Sequence, residues 1–539
     1  MVTIRSGLIG TFDPYLPILP QLTVDTTYSL PTGTQYTVGA GMDYTNLQTA
    51  INAAALGDVL ILTAGETFSG NFTLPDKGAG TDWIYIISSD LVSLTEGVRV
   101  LPGDVASMPT IETVNTEAAV RSFRSAHHYR FAGVHFTVDV AIYQLIRLGF
   151  SEVDDLPVTT EADLPHHITF DRCWITSTST SNQLVNGILA DGKYIGVIDS
   201  YIDNVKGLGP ESQAIGVWGH GIGPYKIENN FLEATCENIM FGGESISITN
   251  AIPSDIVIHK NHFYKRPEWN PSDPLYGGVN WKVKNLLELK IARRAHVSGN
   301  VFENSWQGAQ AANGIVLTVR NQYGDAPQAI LEDLTLENNL IRNVSIGISL
   351  SAEDDLQVSQ QTQRVLIRNN LMHDITDDTY ALPRFVSFHA ETVPILYLTI
   401  RHNTCVISLD EAGYSPVIFE GNTTVKIDNF VFENNIMSHG FYGMGSIDVH
   451  LANYTLLNNG LIFSDLTTED NWYWDNFYGA AGNPASYIKV AVVADVDFVN
   501  EATGDFALLG TSPFYQAGSD GEDVGANIAE LNAATAGVT

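Results

Sequence analysis

The sequence predicts an all-β protein folded as a right-handed parallel β-helix, a β-solenoid in which successive coils stack on one another, with a short capping helix at the N-terminal end. The first observation is a phrase that returns along the chain: an alternating β run, one or two asparagines, and another apolar residue. Clear copies are Ile227-Glu-Asn-Asn-Phe231, Leu336-Glu-Asn-Asn-Leu340 and Ile367-Arg-Asn-Asn-Leu371. The second is that these units alternate like strands and are rich in Val, Ile, Phe and Thr, whereas helical solenoids need helical spacing.

The copies recur at a nearly constant distance, as a stack of coils requires. They are marked by Asn230, Asn261, Asn300, Asn339, Asn370, Asn403 and Asn435. Subtracting each position number from the next gives 31, 39, 39, 31, 33 and 32. Asparagine suits a turn between strands because it tolerates the left-handed conformation, and stacked copies can bond to one another as a ladder. We therefore expect these asparagines to be structural.

The chain divides into four segments by composition and pattern. Residues 1–34 contain four prolines, which predict an extended N-terminal arm or attachment segment. Residues 35–75 form an N-terminal cap and first coil, in which Asp43 caps a helix that begins near Tyr44 and ends before Gly57. Residues 76–500 form the β-helix, and residues 501–539 form a C-terminal closing segment.

Composition and charge exclude several classes of function. The chain is 44% hydrophobic and only 16% charged, which indicates a folded protein with a large core. Its 61 acidic and 27 basic residues give a formal charge of -34, which argues against nucleic acid as a partner. The sequence contains no run of about 18 apolar residues, so it predicts no membrane span.

The cysteines and the N-terminus bear on where the protein works. Cys173, Cys236 and Cys405 are scattered without metal-ligand spacing, so they predict buried side chains rather than disulfides or a zinc site. No signal peptide is visible at the start of the sequence. Release by another route, as for a virion protein, and removal of a signal both remain open, and we expect an extracellular or virion-associated protein.

Several of these motifs resemble a known superfamily. The cap phrase Asp43-Tyr-Thr-Asn-Leu-Gln-Thr-Ala-Ile-Asn-Ala-Ala54, the following Gly57-Asp58 and the recurrent Asn-Asn-Phe turns are similar to the right-handed parallel β-helix proteins of the pectate-lyase-like superfamily. The resemblance covers roughly residues 35–530. It implies the fold, and it implies an activity among those of polysaccharide lyases, glycoside hydrolases, epimerases and bacteriophage tailspikes.

One basic region interrupts the acidic background. Eight of the 27 bases lie between Lys260 and Arg294, and Trp269, Trp281 and Trp306 lie among or just after them. Bases neutralise sugar carboxylates while aromatic rings lie against pyranose faces, so the mixture suits an acidic polysaccharide. The spacing of 39 from Asn261 to Asn300 covers this region and indicates inserted loops that border a groove. The substrate-binding candidates are Glu237, Glu244, Trp269, Trp281, Lys282, Arg293, Arg294 and Trp306.

Strand alternation refines the catalytic candidates. If Leu287 and Leu289 are buried, Glu288 and Lys290 point outward, and the same logic exposes Arg320 on the next coil. β-Elimination from a uronic acid needs a cation to neutralise the carboxylate and a base to remove the C5 proton. Lys284, Lys290 and Arg320 could share those roles. A hydrolase would instead need two facing carboxyls, and its candidates are Glu237, Glu244 and Glu288.

The same residues also have a simpler structural interpretation. Glu288 and Lys290 could merely balance each other on a hydrated sheet face. No motif matches the calcium-binding aspartates or the arginine of pectate lyases. The acids of Ser519-Asp-Gly-Glu-Asp523 could ligate calcium, but their spacing does not form a full calcium loop, so we assign no metal and leave the cofactor unknown.

The adjacent histidine pairs His127-His128 and His166-His167 also receive a structural interpretation. On regular strands their side chains would point to opposite faces, so they predict no metal site.

Two hypotheses about function follow. The first is a β-helix that binds, and cleaves by β-elimination, an acidic polysaccharide along the face around residues 237–320. The second is a non-enzymatic structural or adhesion protein, such as a bacteriophage tail fibre or spike subunit that recognises a surface glycan and assembles as a homotrimer. A polysaccharide is the expected partner in both.

Overall fold

Three long parallel sheets contain nearly all of the strands in the described part of the protein. The computed structural model describes residues 14–149, 158–246, 248–376, 382–407, 416–421, 427–438, 444–446, 455–457, 460–462, 488–490 and 492–539. The beginning of the predicted arm, before Pro14, lies outside this set. Within it, each sheet pairs strands from successive coils in parallel and in sequence order. The prediction of a right-handed parallel β-helix is confirmed.

The strands of each sheet come from successive coils. Sheet A contains Gln35–Val38, Val59–Leu62, Ile84–Ser88, His127–Ala132, His166–Asp171, Lys193–Ile198, Tyr225–Glu228, Ser254–His259, Ala292–Ser298, Leu331–Glu337, Gln363–Arg368, Leu396–Arg401, Val431–Glu433 and Thr455–Leu457. Sheet B contains Thr67–Ser69, Thr110–Thr113, His135–Val138, Trp174–Ser177, Tyr201–Val205, Phe231–Ala234, His262–Tyr264, Val301–Glu303, Leu340–Val344, Leu371–Ile375, Thr404–Ile407, Ile436–Ser438, Gly460–Ile462 and Ile488–Val490. Sheet C contains Phe72–Leu74, Val120–Ser122, Ile142–Leu148, Leu184–Ala190, Gln213–Val217, Ile239–Phe241, Leu287–Leu289, Asn313–Leu317, Ile346–Ser351, Arg384–Ala390, Val417–Gly421 and Met444–Ser446.

Helical and antiparallel elements lie outside the three sheets. Among the described residues, the α-helices are Leu47–Ala53 and Ile528–Ala534, and an antiparallel pair joins Phe498–Asn500 to Asp505–Leu508. Short 3-10 turns cover Leu91–Ser93, Pro102–Ser107, Glu161–Asp163, Pro267–Trp269, Gln322–Gly324, Val493–Val496 and Glu501–Thr503. Across the described ranges, no helix is long and apolar enough to cross a membrane.

The core is one continuous column enclosed by the three sheets. It runs from Val38 to Met437 through aliphatic and aromatic side chains that repeat from coil to coil. Phe131 stacks on Phe170 with ring centroids 5.4 Å apart, and Phe263 stacks on Phe302 at 4.3 Å. Like residues stack because each coil places the same strand position above its predecessor. The three cysteines are buried and free, as predicted.

The asparagine ladder lies at the turn from sheet A to sheet B. The side-chain amide of Asn261 donates to Oδ1 of Asn300 at 3.1 Å, and that of Asn300 donates to Oδ1 of Asn339 at 3.0 Å. The ladder continues unbroken from Asn230 to Asn435. The left-handed conformation belongs to the preceding residue, such as Lys260, and not to the ladder asparagine itself. The ladder asparagines therefore recur from coil to coil for their amide bonds.

The capping helix differs from the prediction in its start. It spans Leu47–Ala53, and Asn46 caps it by accepting a hydrogen bond from the backbone N–H of Thr49. Asp43 instead accepts hydrogen bonds from the backbone and hydroxyl of Thr37. The carboxylate is thus used to tie the preceding strand to the turn, and the nearer asparagine takes over the helix terminus.

The described part of the N-terminal arm lies along the outside of sheet A. The backbone N–H of Gln21 donates to Asp255 at 2.7 Å, and that of Ile18 donates to Asp333 at 3.1 Å. Further along the arm, the guanidinium of Arg130 donates to the carbonyls of Thr26 and Thr27. These contacts follow sheet A over several coils, so residues 18–27 are packed on the β-helix.

The C-terminal segment runs back along the outside of the helix. Phe506 and Phe514 join a small apolar cluster with Leu371 and Val406 of sheet B. Beyond it, the backbone N–H of Asn527 donates to Asn369, and the carbonyl of Val538 accepts from Arg99. The segment therefore covers sheet B and the turns of the asparagine ladder, whereas the sequence predicted a segment that closes the end of the helix.

Candidate functional site

The strand Leu287–Leu289 of sheet C carries the central residues of the basic region. It pairs with Ile239–Phe241 on one side and with Asn313–Leu317 on the other. Leu287 and Leu289 face the core and are fully buried, so Glu288 points to the outer face, as the alternation predicts. Only 3% of Glu288 is exposed, however, so it does not lie on a hydrated face.

A buried charge cluster surrounds Lys284 just before this strand. Its Nζ lies 2.7 Å from a carboxylate oxygen of Glu237, 3.0 Å from Glu211 and 3.9 Å from Glu288. Glu237 is fully buried and Lys284 is 4% exposed. One ammonium thus contacts three carboxyl groups that come from three separate parts of the chain.

Lys290 lies beside this cluster with fewer partners. Its Nζ is 3.6 Å from Glu288 and 3.5 Å from the sulfur of Met240. Gly243 has a φ of 98°, and a Cβ at this position would lie 3.2 Å from Nζ of Lys290. The ammonium therefore lies at the edge of the cluster, where the bare backbone of Gly243 leaves room around it.

The pKa values of the two buried carboxyls in the cluster are shifted in opposite directions. Burial alone would raise the pKa of Glu237, but Lys284 and Lys290 hold that pKa below its ordinary value. Burial raises the pKa of Glu288, against the opposing charge of Lys290, and the nearby Glu237 carboxylate raises it further. Burial would lower the pKa of Lys284, yet Glu237 and Glu288 raise it. Glu237 and Lys284 therefore form a fixed ion pair, and Glu288 binds a proton more readily.

A row of neutral polar side chains extends the cluster along sheet C. Gln213 donates to Glu237 at 2.8 Å, and its own carbonyl oxygen accepts from Asn186 at 2.7 Å. The indole N–H of Trp218 lies 3.3 Å from the same oxygen. Asn285 donates to Glu288 at 3.2 Å, while its buried Oδ1 has no hydrogen-bond partner within the described residues. These residues escaped prediction, although a polar residue inside an apolar strand such as Gln213–Val217 is a usable signal.

Lys265 braces the turn that carries the cluster. It is fully buried, and its ammonium donates to the carbonyls of Ala234, Cys236 and Asn285. Burial lowers its pKa to about 7. At the bend from sheet B to sheet C, the ammonium supplies hydrogen bonds to these backbone carbonyls. These bonds hold in place the segments on which Glu237 and Lys284 lie.

Arg320 follows Lys290 on the next coil, as predicted. Its backbone N–H donates to the carbonyl of Lys290 at 2.9 Å, so the two residues lie on adjacent coils. Its guanidinium pairs with Asp354 at 3.0 Å and with Asp355, and the side chain remains 30% exposed. The two acids orient Arg320 and leave part of the guanidinium at the surface.

Glu244 lies at the far end of strand Ile239–Phe241 from Glu237. It accepts a hydrogen bond from the backbone of Ser245 and helps raise the pKa of His220. Burial would lower the pKa of His220, but a hydrogen bond to Asp191 and the negative charges of Asp191 and Glu244 raise it more. Glu244 therefore belongs to a second polar group at the turn from sheet C to sheet A.

The three candidate tryptophans have different surroundings. Trp269 and Trp281 are each 5% exposed; Arg266 lies over the first ring and Lys206 over the second. These two rings are buried within the protein, so the prediction that they lie against sugars is wrong. Trp306 borders an open cavity of about 500 Å³ formed with Pro267, Asn270, Ser272, Asp273, Asn304 and Gln307. Its indole N–H has no partner among the described residues.

The remaining candidates lie at the edge of the cluster or beyond it. Lys282 pairs with Glu211 at 3.4 Å and so touches the same acid as Lys284. Arg293 and Arg294 lie on sheet A, where they pair with Glu332 and Asp255. The structure therefore does not bring these two arginines to the cluster on sheet C.

The acidic turn near the C-terminus is held by protein groups. Asp520 lies 2.8 Å from Nε2 of His402, and its other oxygen accepts from the backbone of Glu522. Asp523 accepts from the backbone of Gln516. These contacts account for the turn without a calcium loop.

Comparison with known proteins finds distant matches among solved structures. No family model and no curated protein sequence matches the chain. Among solved structures, the PL6 family alginate lyase AlyGC is 13% identical with a TM-score of 0.47; the match covers 88% of this chain but only 57% of that lyase, so this chain spans little more than half of its length. The pectate lyase Pel9A is 13% identical with a TM-score of 0.34, covering 92% and 96%. A tailspike protein of E. coli bacteriophage HK620, in complex with a pentasaccharide, is 10% identical with a TM-score of 0.37, covering 80% and 69%.

Proposed function

We propose that this protein binds an extended acidic polysaccharide along the outer face of sheet C and cleaves it by β-elimination. The observation that carries the proposal is the buried cluster of Glu237, Lys284 and Glu288 beside Lys290. Burying several charges is costly, and a hydrophobic surface would stabilise a sheet as well or better. Perturbed, buried ionisable groups next to a reachable cation are typical of a reaction site.

The two terminal segments support the choice of face. The arm lies on sheet A, and the C-terminal segment covers sheet B and the neighbouring turns. The inserted loop that contains Pro267–Trp269 borders the cavity beside Trp306, at the turn from sheet B to sheet C. A long polymer needs a path across several coils, and the contacts of the described terminal segments lie on sheets A and B rather than on sheet C.

The catalytic roles of the cations follow from the ion pairs that each of them already forms. Lys284 is committed to Glu237 and Glu211, so it holds the cluster together. We assign Arg320 to the substrate carboxylate, because a guanidinium keeps its charge and has donors beyond those that its two acids occupy.

Lys290 then acts on the sugar ring. Its neutral amine takes the C5 proton, the electrons of the C5–H bond form the C4=C5 double bond, and the C4–O4 bond breaks. The resulting ammonium returns the proton to the departing O4, so the enzyme ends as it began.

The test is a lyase assay on alginate, pectate and bacterial capsular polysaccharides, followed by the ultraviolet absorbance of the unsaturated product. We expect Lys290→Met to lower kcat by about 10²-fold or more while the polymer still binds. Lys193→Met is the matched control, since Lys193 pairs with Glu161 at 3.2 Å on sheet A, and it should keep full activity.

Other outcomes of the assay contradict the proposal in separate ways. Absence of both product and binding across the panel removes it. Binding without cleavage by the wild-type chain replaces it with the glycan-recognition hypothesis. New reducing ends without ultraviolet absorbance indicate hydrolysis and move the chemistry to the carboxyl groups.

A further inference from the structure

Two histidine pairs lie together at the start of adjacent sheet A strands, far in sequence from the proposed polysaccharide site. His127 and His128 begin one strand, and His166 and His167 begin the next. Regular strands would send the two members of each pair to opposite faces. His128 and His167 instead have φ values of 57° and 54°, in the left-handed region. The left-handed residue interrupts the alternation, so both rings of a pair lie on the same side.

The four rings form a compact block. Nδ1 of His127 lies 2.6 Å from Nδ1 of His128, and the same atoms of His166 and His167 are 2.7 Å apart. His127 stacks on His166 with an interplanar angle of 6°, and His128 stacks on His167 at the same angle. One ring nitrogen from each of His127, His128 and His166 lies within 4.8 Å of the others.

A backbone carbonyl selects the tautomer of His127. Its Nε2 lies 2.8 Å from the carbonyl oxygen of Gly78, and this acceptor requires a hydrogen on Nε2. A neutral ring then carries its lone pair on Nδ1, the atom that faces His128. A backbone carbonyl that fixes the tautomer in this way is the usual partner of a metal-ligating histidine.

The block of rings lies between an aromatic side chain and a carboxylate. The edge of Trp83 meets the rings of His128 and His167. Asp76 lies 3.6 Å from Nε2 of His127, and its carboxylate would partly offset the charge of a cation.

We propose that His127, His128 and His166 bind one transition-metal dication of the zinc class, which staples two successive coils together. Imidazole nitrogens suit zinc, copper and nickel, and they ligate only in the neutral form. Zinc–nitrogen bonds of about 2.0–2.1 Å put ligand atoms roughly 3.3 Å apart in a tetrahedral site. The three ligand atoms, now within 4.8 Å of one another, must come closer by ring rotation to reach this spacing.

The test uses the full chain after dialysis against a chelator. Titration with Zn²⁺ should show one equivalent bound per chain and a rise in the apparent Tm. Titration with Co²⁺ should produce visible absorption bands of a nitrogen-ligated site. An anomalous diffraction peak from zinc-soaked crystals should lie among the three rings.

Variants identify the ligands. His128→Gln and His166→Gln should each weaken binding at least tenfold. His296→Gln is the matched control, because His296 also lies on sheet A but pairs with Glu337 at 2.8 Å, and it should bind as the wild type does. Circular dichroism of each variant without metal checks its folding.

The proposal is overturned by a wild-type chain that gives no cobalt bands and no zinc-dependent shift of Tm. It is also overturned by an anomalous peak located elsewhere, or by a control variant that loses as much affinity as the ligand variants. None of these results bears on lyase activity.

Discussion

Two rows of polar side chains cross the coils of this protein, and they are built in opposite ways. In the asparagine ladder every coil contributes the same residue, and each amide bonds to the next, as Asn261, Asn300 and Asn339 do. In the cluster on sheet C the members differ in type and charge, and one ammonium, that of Lys284, serves several acids. The ladder runs along many coils, whereas the ion pairs of the cluster connect a few.

The difference indicates that the asparagine ladder has a structural role and that the cluster on sheet C suits a chemical one. A repeated amide satisfies its own donors and acceptors, so extending the ladder by one coil adds no unpaired group. A buried mixture of acids and bases instead needs partners tailored to each member. Lys284, Glu288 and Lys290 lie between Asn261 and Asn300, which is one of the two longest intervals of the ladder. Coils of ordinary length thus provide the scaffold, and a longer coil carries the centre of the site.

The largest expected effect comes from breaking the cluster. Lys284→Met leaves Glu237 buried without its ion pair, so we expect a loss of about 3–5 kcal/mol in the free energy of unfolding. The midpoint of urea unfolding measures it. Lys282→Met, on the same loop but 28% exposed at its side chain, should cost less than about 1 kcal/mol. Equal losses in both variants would show that Lys284 has no special place in the cluster.

Breaking the ladder should cost somewhat less. Asn300→Ala removes the acceptor of two Asn261 donors and the donor to the carbonyl of Ile258. Each buried polar group left without a partner costs about 1–3 kcal/mol, and water can hydrogen-bond to some of these groups. We therefore expect the free energy of unfolding to fall by about 3 kcal/mol in total. Thermal and urea unfolding measure the change. Asn52→Ala, on the exposed side of the capping helix, is the control and should be nearly neutral; a comparable loss there would contradict the ladder's role.

The smallest effect is a pH dependence that separates the two buried acids. The lowered pKa of Glu237 means that its stabilisation is present above the ordinary value of 4.5 and is lost as pH falls toward the folded-state pKa. The raised pKa of Glu288 means that its contribution is present below 4.5 and is lost as pH rises through the folded-state value. Unfolding curves of Glu237→Gln and Glu288→Gln, measured against the wild type from pH 3 to 8, should therefore diverge in opposite directions. Parallel curves would contradict this division of charge.

Much of the scaffold was predictable from local patterns. The positions of the asparagines, the inward side chains of Leu287 and Leu289, and the proximity of Lys290 to Arg320 all follow from strand alternation and a repeat. The start of the capping helix did not follow, since Asp43 and Asn46 are both good caps and only contacts with the preceding strand decide between them. The burial of Glu288 also depends on neighbouring coils.

The sequence by itself determined that this chain is a stack of β coils and which side of each strand faces the core, because hydrophobic alternation and turn residues act over a few positions. Only the tertiary structure decided which outward side chains meet. Lys284 reaches Glu211 and Glu237 on preceding coils, and the histidine pairs converge because of two left-handed residues. Such contacts depend on loop lengths and backbone angles that act across coils, so their physical cause lies outside any local stretch of sequence.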